Sequence, residues 1–92
     1  MNPIQKMRKR KEIIDYLLRG LELWCRVNHH RNVAETQFKD VLGSYCRGAV
    51  QYCKVNEKLV SETLFKNWGK VQKLLHQYSI CVIASKKGKK AK

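Results

Sequence analysis

Acidic side chains near either end and long apolar runs are both missing from this sequence of 92 residues. The longest apolar run covers only residues 80–84, which excludes a membrane-spanning helix of about 20 residues. A secretory signal is not expected, because Asp15 and Arg19 interrupt the apolar segment that should follow the basic start. We therefore expect a cytoplasmic or nuclear chain, or both. Its four cysteines should then be reduced and mostly buried rather than paired in disulfides.

The acidic residues that are present all lie in the middle of the chain. The net charge is +13, yet residues 12–62 contain seven basic and seven acidic groups and are neutral. Residues 1–11 contain five basic groups and no acid, and residues 63–92 contain eight lysines and no acid. The apolar fraction of 43% is too high for a disordered polycation, so we predict a packed chain with a cationic flank at each end.

Apolar residues recur every three or four positions in three segments, which predicts helices over about 4–27, 33–54 and 61–84. Residues 79–85 are β-branched enough to be extended, but a lone strand would lack a partner, so we predict that the third helix continues through them. Connections of about four to seven residues favour antiparallel neighbours. The sequence therefore predicts an all-α, three-helix, up-down-up bundle forming a single domain over 1–85, with 86–92 as a disordered basic tail.

Two features predict contacts beyond a simple bundle. The predicted helices carry wide apolar faces that a core of this size does not bury completely. Homodimerisation through one of these faces would bury the remaining apolar surface. Gly20, Gly43 and Gly48 lie inside the predicted helices, where glycine weakens a helix by about 1 kcal/mol relative to alanine. Gly20 indicates a close helix–helix contact, and Gly43 and Gly48 indicate the close approach of a neighbouring backbone or a ligand, or else a weak helix.

A stripe of lysines is the strongest functional signal in the sequence. Lys66, Lys70 and Lys73 share one face of the third predicted helix with Gln77, and no carboxylate is within reach along that helix. An ordinary solvated face would explain four such residues, but the acid-free flanks favour neutralisation by a polyanion. The remaining candidate contacts are Arg47 and Lys54 on the second helix, with Lys6, Arg8, Lys9, Arg10 and Lys11 at the start of the chain.

These cations predict a nucleic-acid-binding protein that recognises the phosphate backbone of a duplex by shape and not by sequence, with RNA favoured. In composition the chain resembles small, basic, helical RNA-binding proteins of viral or ribosomal type. Charge reversal at Lys66, Lys70 and Lys73 is expected to abolish binding without unfolding the protein. One alternative is a membrane-surface or matrix-like protein that binds anionic lipid through the same cations. The other is a protein-interaction adaptor whose basic ends serve only nuclear import.

Metal and catalytic chemistry have little support in the sequence. Cys25, His29 and Cys81 could meet at one end of the bundle as a weak metal or redox site, but buried cysteines and a polar turn explain them as well. A cysteine–histidine nucleophile needs an orienting third group, and both Asp15 and Asp40 fall on solvent-facing positions. We therefore predict no metal, no cofactor and no enzymatic activity.

Overall fold

The structure, a computed structural model, describes residues 2–84 and is mostly helical, in agreement with the all-α class. The predicted tail, residues 86–92, lies outside the described residues. None of the described helices is long and apolar enough to cross a membrane. In chain order the elements are α1 (Pro3–Val27), β1 (Asn32–Ala34), α2 (Glu35–Cys53), α3 (Glu57–Lys66), α4 (Trp68–Gln77) and β2 (Cys81–Ile83).

Both ends of α1 are fixed by asparagine. The side chain of Asn2 accepts a hydrogen bond from the backbone N–H of Gln5 (2.8 Å), and the Asn2 N–H donates to the Gln5 side chain (3.4 Å). This capping box precedes Pro3, whose missing N–H costs nothing at a first helical position. At the other end, the side-chain amide of Asn28 donates to the Trp24 carbonyl oxygen (2.9 Å) and closes the last turn.

Helices α1 and α2 pack antiparallel, and each carries a glycine beneath a tyrosine of the other. The ring of Tyr45 covers Gly20, where an added Cβ would lie 2.6 Å from Tyr45 Cε1. The hydroxyl of Tyr16 occupies the equivalent place above Gly48. The predicted close approach at these two glycines is therefore made by aromatic rings and not by backbone.

The third predicted helix, 61–84, is wrong in its bounds and in its continuity. Helix α3 already begins at Glu57, because the side chain of Asn56 accepts a hydrogen bond from the Leu59 N–H (2.8 Å) and caps it. Its last residue is Lys66, and Asn67 caps it. The side-chain amide of Asn67 donates to the Thr63 carbonyl oxygen (2.8 Å), while the backbone of Asn67 leaves helical geometry. Residues 2–84 therefore contain four helices where the sequence predicted three.

The segment after α4 is also not helical. Residues 81–83 form β2, which pairs in parallel with β1 in the register Asn32↔Cys81, Val33↔Val82 and Ala34↔Ile83. The partner strand was hidden in the predicted start of the second helix, 33–54, which begins only at Glu35. Extended structure is favoured over helix here because this β-branched segment pairs with β1 through backbone hydrogen bonds and buries the side chain of Ile80, just before β2.

The core follows α1 from Ile13 to Cys25. Next to its N-terminal half, buried side chains of α1 and α2 meet α3; next to its C-terminal half, they meet α4. A third cluster, of Cys25, Val33 and Ile80, closes the end that carries the strands. This order places α3 and the α2–α3 turn beside the basic first turns of α1.

Candidate nucleic-acid interface

The lysines of the predicted stripe are exposed, but they do not stand alone. Lys66 lies in the last turn of α3, and the break at Asn67 separates it from Lys70 and Lys73 on α4. Lys70 and Lys73 line a groove of about 420 Å³ between α4 and α1. The facing wall, contributed by α1, contains Asp15, Leu18, Arg19 and Glu22.

Folding therefore supplies the stripe with the carboxylates that it lacks along its own helix. Glu22 is already engaged, because its Oε2 accepts a hydrogen bond from the Tyr78 hydroxyl (3.0 Å) and lies 3.4 Å from Arg26 Nη2. Asp15 lies in the same groove as Lys70 and Lys73 and lowers the positive potential there. The stripe is consequently a weaker anion-binding surface than the sequence indicates.

Two candidate cations near the start of α1 make contacts within the protein. The Nζ of Lys9 donates to the carbonyl oxygen of Cys53 (2.8 Å) and lies 3.4 Å from Glu12 Oε1. It thus satisfies an orphan carbonyl at the C-terminus of α2, where a positive charge is also favourable to the helix dipole. Arg10 reaches Glu62 of α3 (3.9 Å), and its buried Nε has no hydrogen-bond partner among the described residues. Lys9 therefore links α1 to α2, and Arg10 links α1 to α3. Both side chains are less available to a ligand than an unpaired cation would be.

The exposed cations of this region gather at one end of the molecule. Lys6 and Lys58 line a recess of about 280 Å³ between α1 and α3, together with Asn56, Leu59 and Glu62, the carboxylate that Arg10 reaches. Lys54 caps α2 in the left-handed conformation (φ 56°), is exposed, and lies two residues before Asn56 in the chain. We call the following set the basic end: Lys6, Arg8, Lys11, Lys54 and Lys58.

Sequence reasoning missed Lys58. Lys58 falls in the predicted connection between the second and third helices, and no periodic pattern in the sequence links it to Lys6. Only the packing of α3 against the first turns of α1 brings the two ammonium groups to one recess. The early cap at Asn56 was the available signal, because it would have placed Lys58 on a helix.

Arg47 extends the basic end along α2. It is exposed, and its guanidinium lies beside two small residues, with Nη2 3.3 Å from Ser44 Oγ and Nη1 close to Gly43. Lys54 follows seven residues later as the left-handed cap of α2, so the two cations lie along the C-terminal part of the same helix. A phosphate backbone could approach the exposed guanidinium closely beside these small residues.

The candidate metal ligands are not brought together. Cys25 is fully buried, while the ring of His29 stacks on His30 (centroids 3.9 Å apart) and Cys81 is exposed. Within residues 2–84, no three histidine, cysteine or acidic side chains are grouped closely enough to hold a metal ion. Burial, with a smaller contribution from Glu22, raises the pKa of Cys25 to about 11, so this thiol is protonated and unreactive near neutral pH.

Comparison with protein-family models, with curated protein sequences and with solved structures gives no match. The interpretation of these surfaces therefore depends on their chemistry alone.

Proposed function

We propose that this chain binds nucleic acid through the phosphate backbone, with an RNA duplex as the favoured ligand. The observation that carries the proposal is the convergence of exposed cations from three chain segments at the basic end. Lys6 and Lys58 share one recess there, and Lys54 lies at the adjoining turn. Helices hold these groups in a fixed arrangement, so binding a polyanion costs little ordering of the backbone.

Charge balance supports the basic end as the main contact and the stripe as a secondary one. Glu12 and Glu62, near the basic end, are already paired with Lys9 and Arg10, and Glu57 is exposed beside Lys58 in the chain. The five lysines and arginines of the basic end are exposed beyond those pairs and outnumber this carboxylate. In the groove of the stripe, Asp15 and Glu22 oppose Lys70 and Lys73, with Arg19 as a third base.

RNA duplex is favoured because an A-form helix is recognised mostly by its shape and its phosphates. Contacts between lysine or arginine and phosphate position a protein on a duplex without reading its sequence. The basic end and Arg47 offer contacts of this kind on three helices, α1, α2 and α3. The affinity should accordingly be similar for duplexes of different sequence and should fall steeply with salt.

The decisive experiment compares two double charge reversals of equal net charge. In K6E/K58E the recess of the basic end loses both lysines, whereas R31E/K39E reverses two exposed cations far from it. Fluorescence anisotropy with a labelled RNA duplex should show a loss of affinity of about tenfold or more for K6E/K58E and a much smaller loss for the control. Equal losses in both variants would mean that only net charge matters and would overturn this site.

The contribution of the stripe is tested by K70Q/K73Q. Glutamine removes the charge without adding a carboxylate beside Asp15 and Glu22, which would confuse a binding defect with repulsion inside the protein. We expect a smaller loss of affinity than for K6Q/K58Q, which removes the same number of charges from the recess of the basic end. A larger loss would restore the stripe as the main contact. Duplex and single-stranded RNA and DNA, each titrated at two salt concentrations, identify the preferred ligand.

A membrane-surface function is the second candidate, and one observation favours it. Ile4 and Met7 are 63% and 67% exposed on the same first turns of α1 that carry Lys6 and Arg8. Apolar side chains flanked by cations are typical of helices that lie on anionic bilayers. Co-sedimentation with phosphatidylserine vesicles, compared between the wild type and I4S/M7S, separates the two functions. Lipid binding requires the apolar pair, whereas phosphate-backbone binding does not.

A further inference from the structure

One face of the molecule combines exposed apolar side chains with balanced charge. Between α1 and α2 lies a groove of about 550 Å³, and Tyr16 and Tyr45 form its floor above the two glycines. Tyr52 stacks on Tyr16 with ring centroids 5.2 Å apart and remains 67% exposed. Leu23 lines the same groove and is 59% exposed. Val27, one turn further along α1, is 77% exposed. We call these five residues the tyrosine face.

Large, contiguous and exposed apolar side chains indicate an interaction surface. The tyrosine face meets this description along about three turns of α1, whereas Phe65 is exposed singly on α3, away from the groove. Tyrosine gives a large contact area at low entropic cost, and its hydroxyl can stay hydrated at the edge of an interface. This face thus has the composition of a contact surface between proteins.

Charge decides which partner the tyrosine face fits. A second copy of a chain with net charge +13 is repelled by the basic end and by the lysines of α4. The groove, however, is lined by two acids and one base, Glu12, Asp15 and Arg19. The groove therefore carries no excess of positive charge, and two copies can meet on it with less repulsion than on the lysine-rich surfaces.

The order of the charges along α1 is also self-complementary. Glu12 lies near one end of the tyrosine face and Arg26 near the other, with Arg19 midway between them in the chain. The ion pairs of Glu12 with Lys9 and of Arg26 with Glu22 are partly exposed, so both groups can exchange these partners for one on a second copy. A two-fold axis passing near Arg19 sets two copies of α1 antiparallel and leaves the two Arg19 side chains to diverge into solvent at the edge of the face. It brings Tyr16 opposite Leu23 of the partner subunit, and Glu12 opposite Arg26 of the partner subunit. An isologous contact repeats each of these pairs twice.

We propose that the tyrosine face binds a second copy of this chain, so that α1 and α2 of both copies form a four-helix layer. The basic ends then lie outside the interface and remain free for a polyanion. This proposal stands independently of nucleic-acid binding, because it depends on other residues and is measured without any ligand.

The first test is the oligomeric state of the whole chain by sedimentation velocity. The wild type should sediment as a dimer, and L23E should sediment as a monomer or with a dimer dissociation constant raised at least about tenfold. F65E is the matched control, since it replaces an even more exposed apolar side chain outside the face and should leave the dimer intact. Circular dichroism establishes that both variants keep the helical content of the wild type.

A charge swap tests the arrangement of the two copies. Either E12R or R26E alone should weaken the dimer, because each places like charges opposite one another. The double variant E12R/R26E should recover much of the loss, since it restores opposite charges across the two-fold axis. A monomeric wild type, a dimer unaffected by L23E, or a dimer broken equally by F65E would overturn the proposed face. Failure of the double variant to recover would overturn the two-fold arrangement.

Discussion

At the scale of single residues, two glycines let α1 and α2 pack closely against each other. Glycine destabilises a helix, but two of the three glycines within α1 and α2 leave room for a tyrosine side chain of the facing helix, and this packing offsets the loss. Gly20 receives the ring of Tyr45, while Gly48 receives the hydroxyl end of Tyr16. Gly69 on α4 differs from both, because a Cβ added there would meet nothing within 4 Å.

This difference predicts opposite effects for one and the same substitution. In G20A the new methyl group would overlap the half-buried ring of Tyr45, and overpacking of this kind costs about 1–3 kcal/mol, more than the helix propensity of alanine returns. G69A gains propensity without a clash and should stabilise the protein by about 0.5 kcal/mol. Urea unfolding followed by circular dichroism measures both. A G20A variant as stable as the wild type would mean that Tyr45 moves aside freely.

Cys25 should make the protein sensitive to alkaline pH. Its pKa is raised to about 11 in the folded chain from an ordinary value of 9.0, so above pH 9 the unfolded chain loses this proton while the folded chain keeps it. The free energy of unfolding should therefore fall by about 2–3 kcal/mol between pH 9 and pH 11 on account of this thiol. In C25A the fall should be correspondingly shallower, whatever the cost of the substitution itself. Equal slopes for the two proteins would contradict the assignment.

At the scale of elements, the sequence predicts helices well where caps and apolar spacing agree. Helix α1, predicted over about 4–27, spans Pro3–Val27, because Pro3 and the polar cluster from Asn28 mark its two ends. The third helix was predicted wrongly, since a regular apolar spacing runs straight across Asn67 and hides the break. Strand β2 was missed because its partner, Asn32–Ala34, lies almost fifty residues earlier in the chain.

The same limit explains which part of the candidate site could be predicted. Charge composition identifies the cationic residues, and a helical wheel groups those that lie on one helix. Neither method shows that Lys9 is engaged by Cys53, or that Asp15 shares a groove with Lys70. Contacts between elements decide which cations remain available, and a single sequence does not encode these contacts in any local pattern.

The segment after α4 should be a structural part of the domain and not a loose end. Ile80 is 7% exposed and packs with Cys25 and Val33, whereas Ile83 is 46% exposed on β2. I80A should therefore destabilise the protein by about 2–4 kcal/mol, and I83A by less than about 1 kcal/mol. Thermal unfolding of the pair provides the comparison. If the two substitutions cost the same, this segment does not close the end of the core.

At the scale of the whole molecule, opposite requirements are met on separate surfaces. A polyanion needs unpaired cations, which are concentrated at the basic end, and a second copy needs a face without excess positive charge, which α1 and α2 provide. The neutral middle of the sequence, residues 12–62, builds most of that face. Under these two proposals, the uneven charge of the chain separates a surface for association from a surface for binding.

If both proposals hold, dimerisation should increase the number of phosphates neutralised in each binding event. On a duplex long enough to meet both basic ends, the dimer contacts about twice as many phosphates as one copy does. The slope of log K against log salt, about −0.9 for each neutralised phosphate of B-form DNA, should therefore be about twice as steep for the wild type as for L23E. The second copy binds at a high effective concentration, so the affinity at low salt should fall in L23E although Leu23 touches no phosphate. On a duplex too short for two copies, wild type and L23E should show the same slope. A slope unchanged by L23E on the long duplex would show that a single copy makes all of the phosphate contacts.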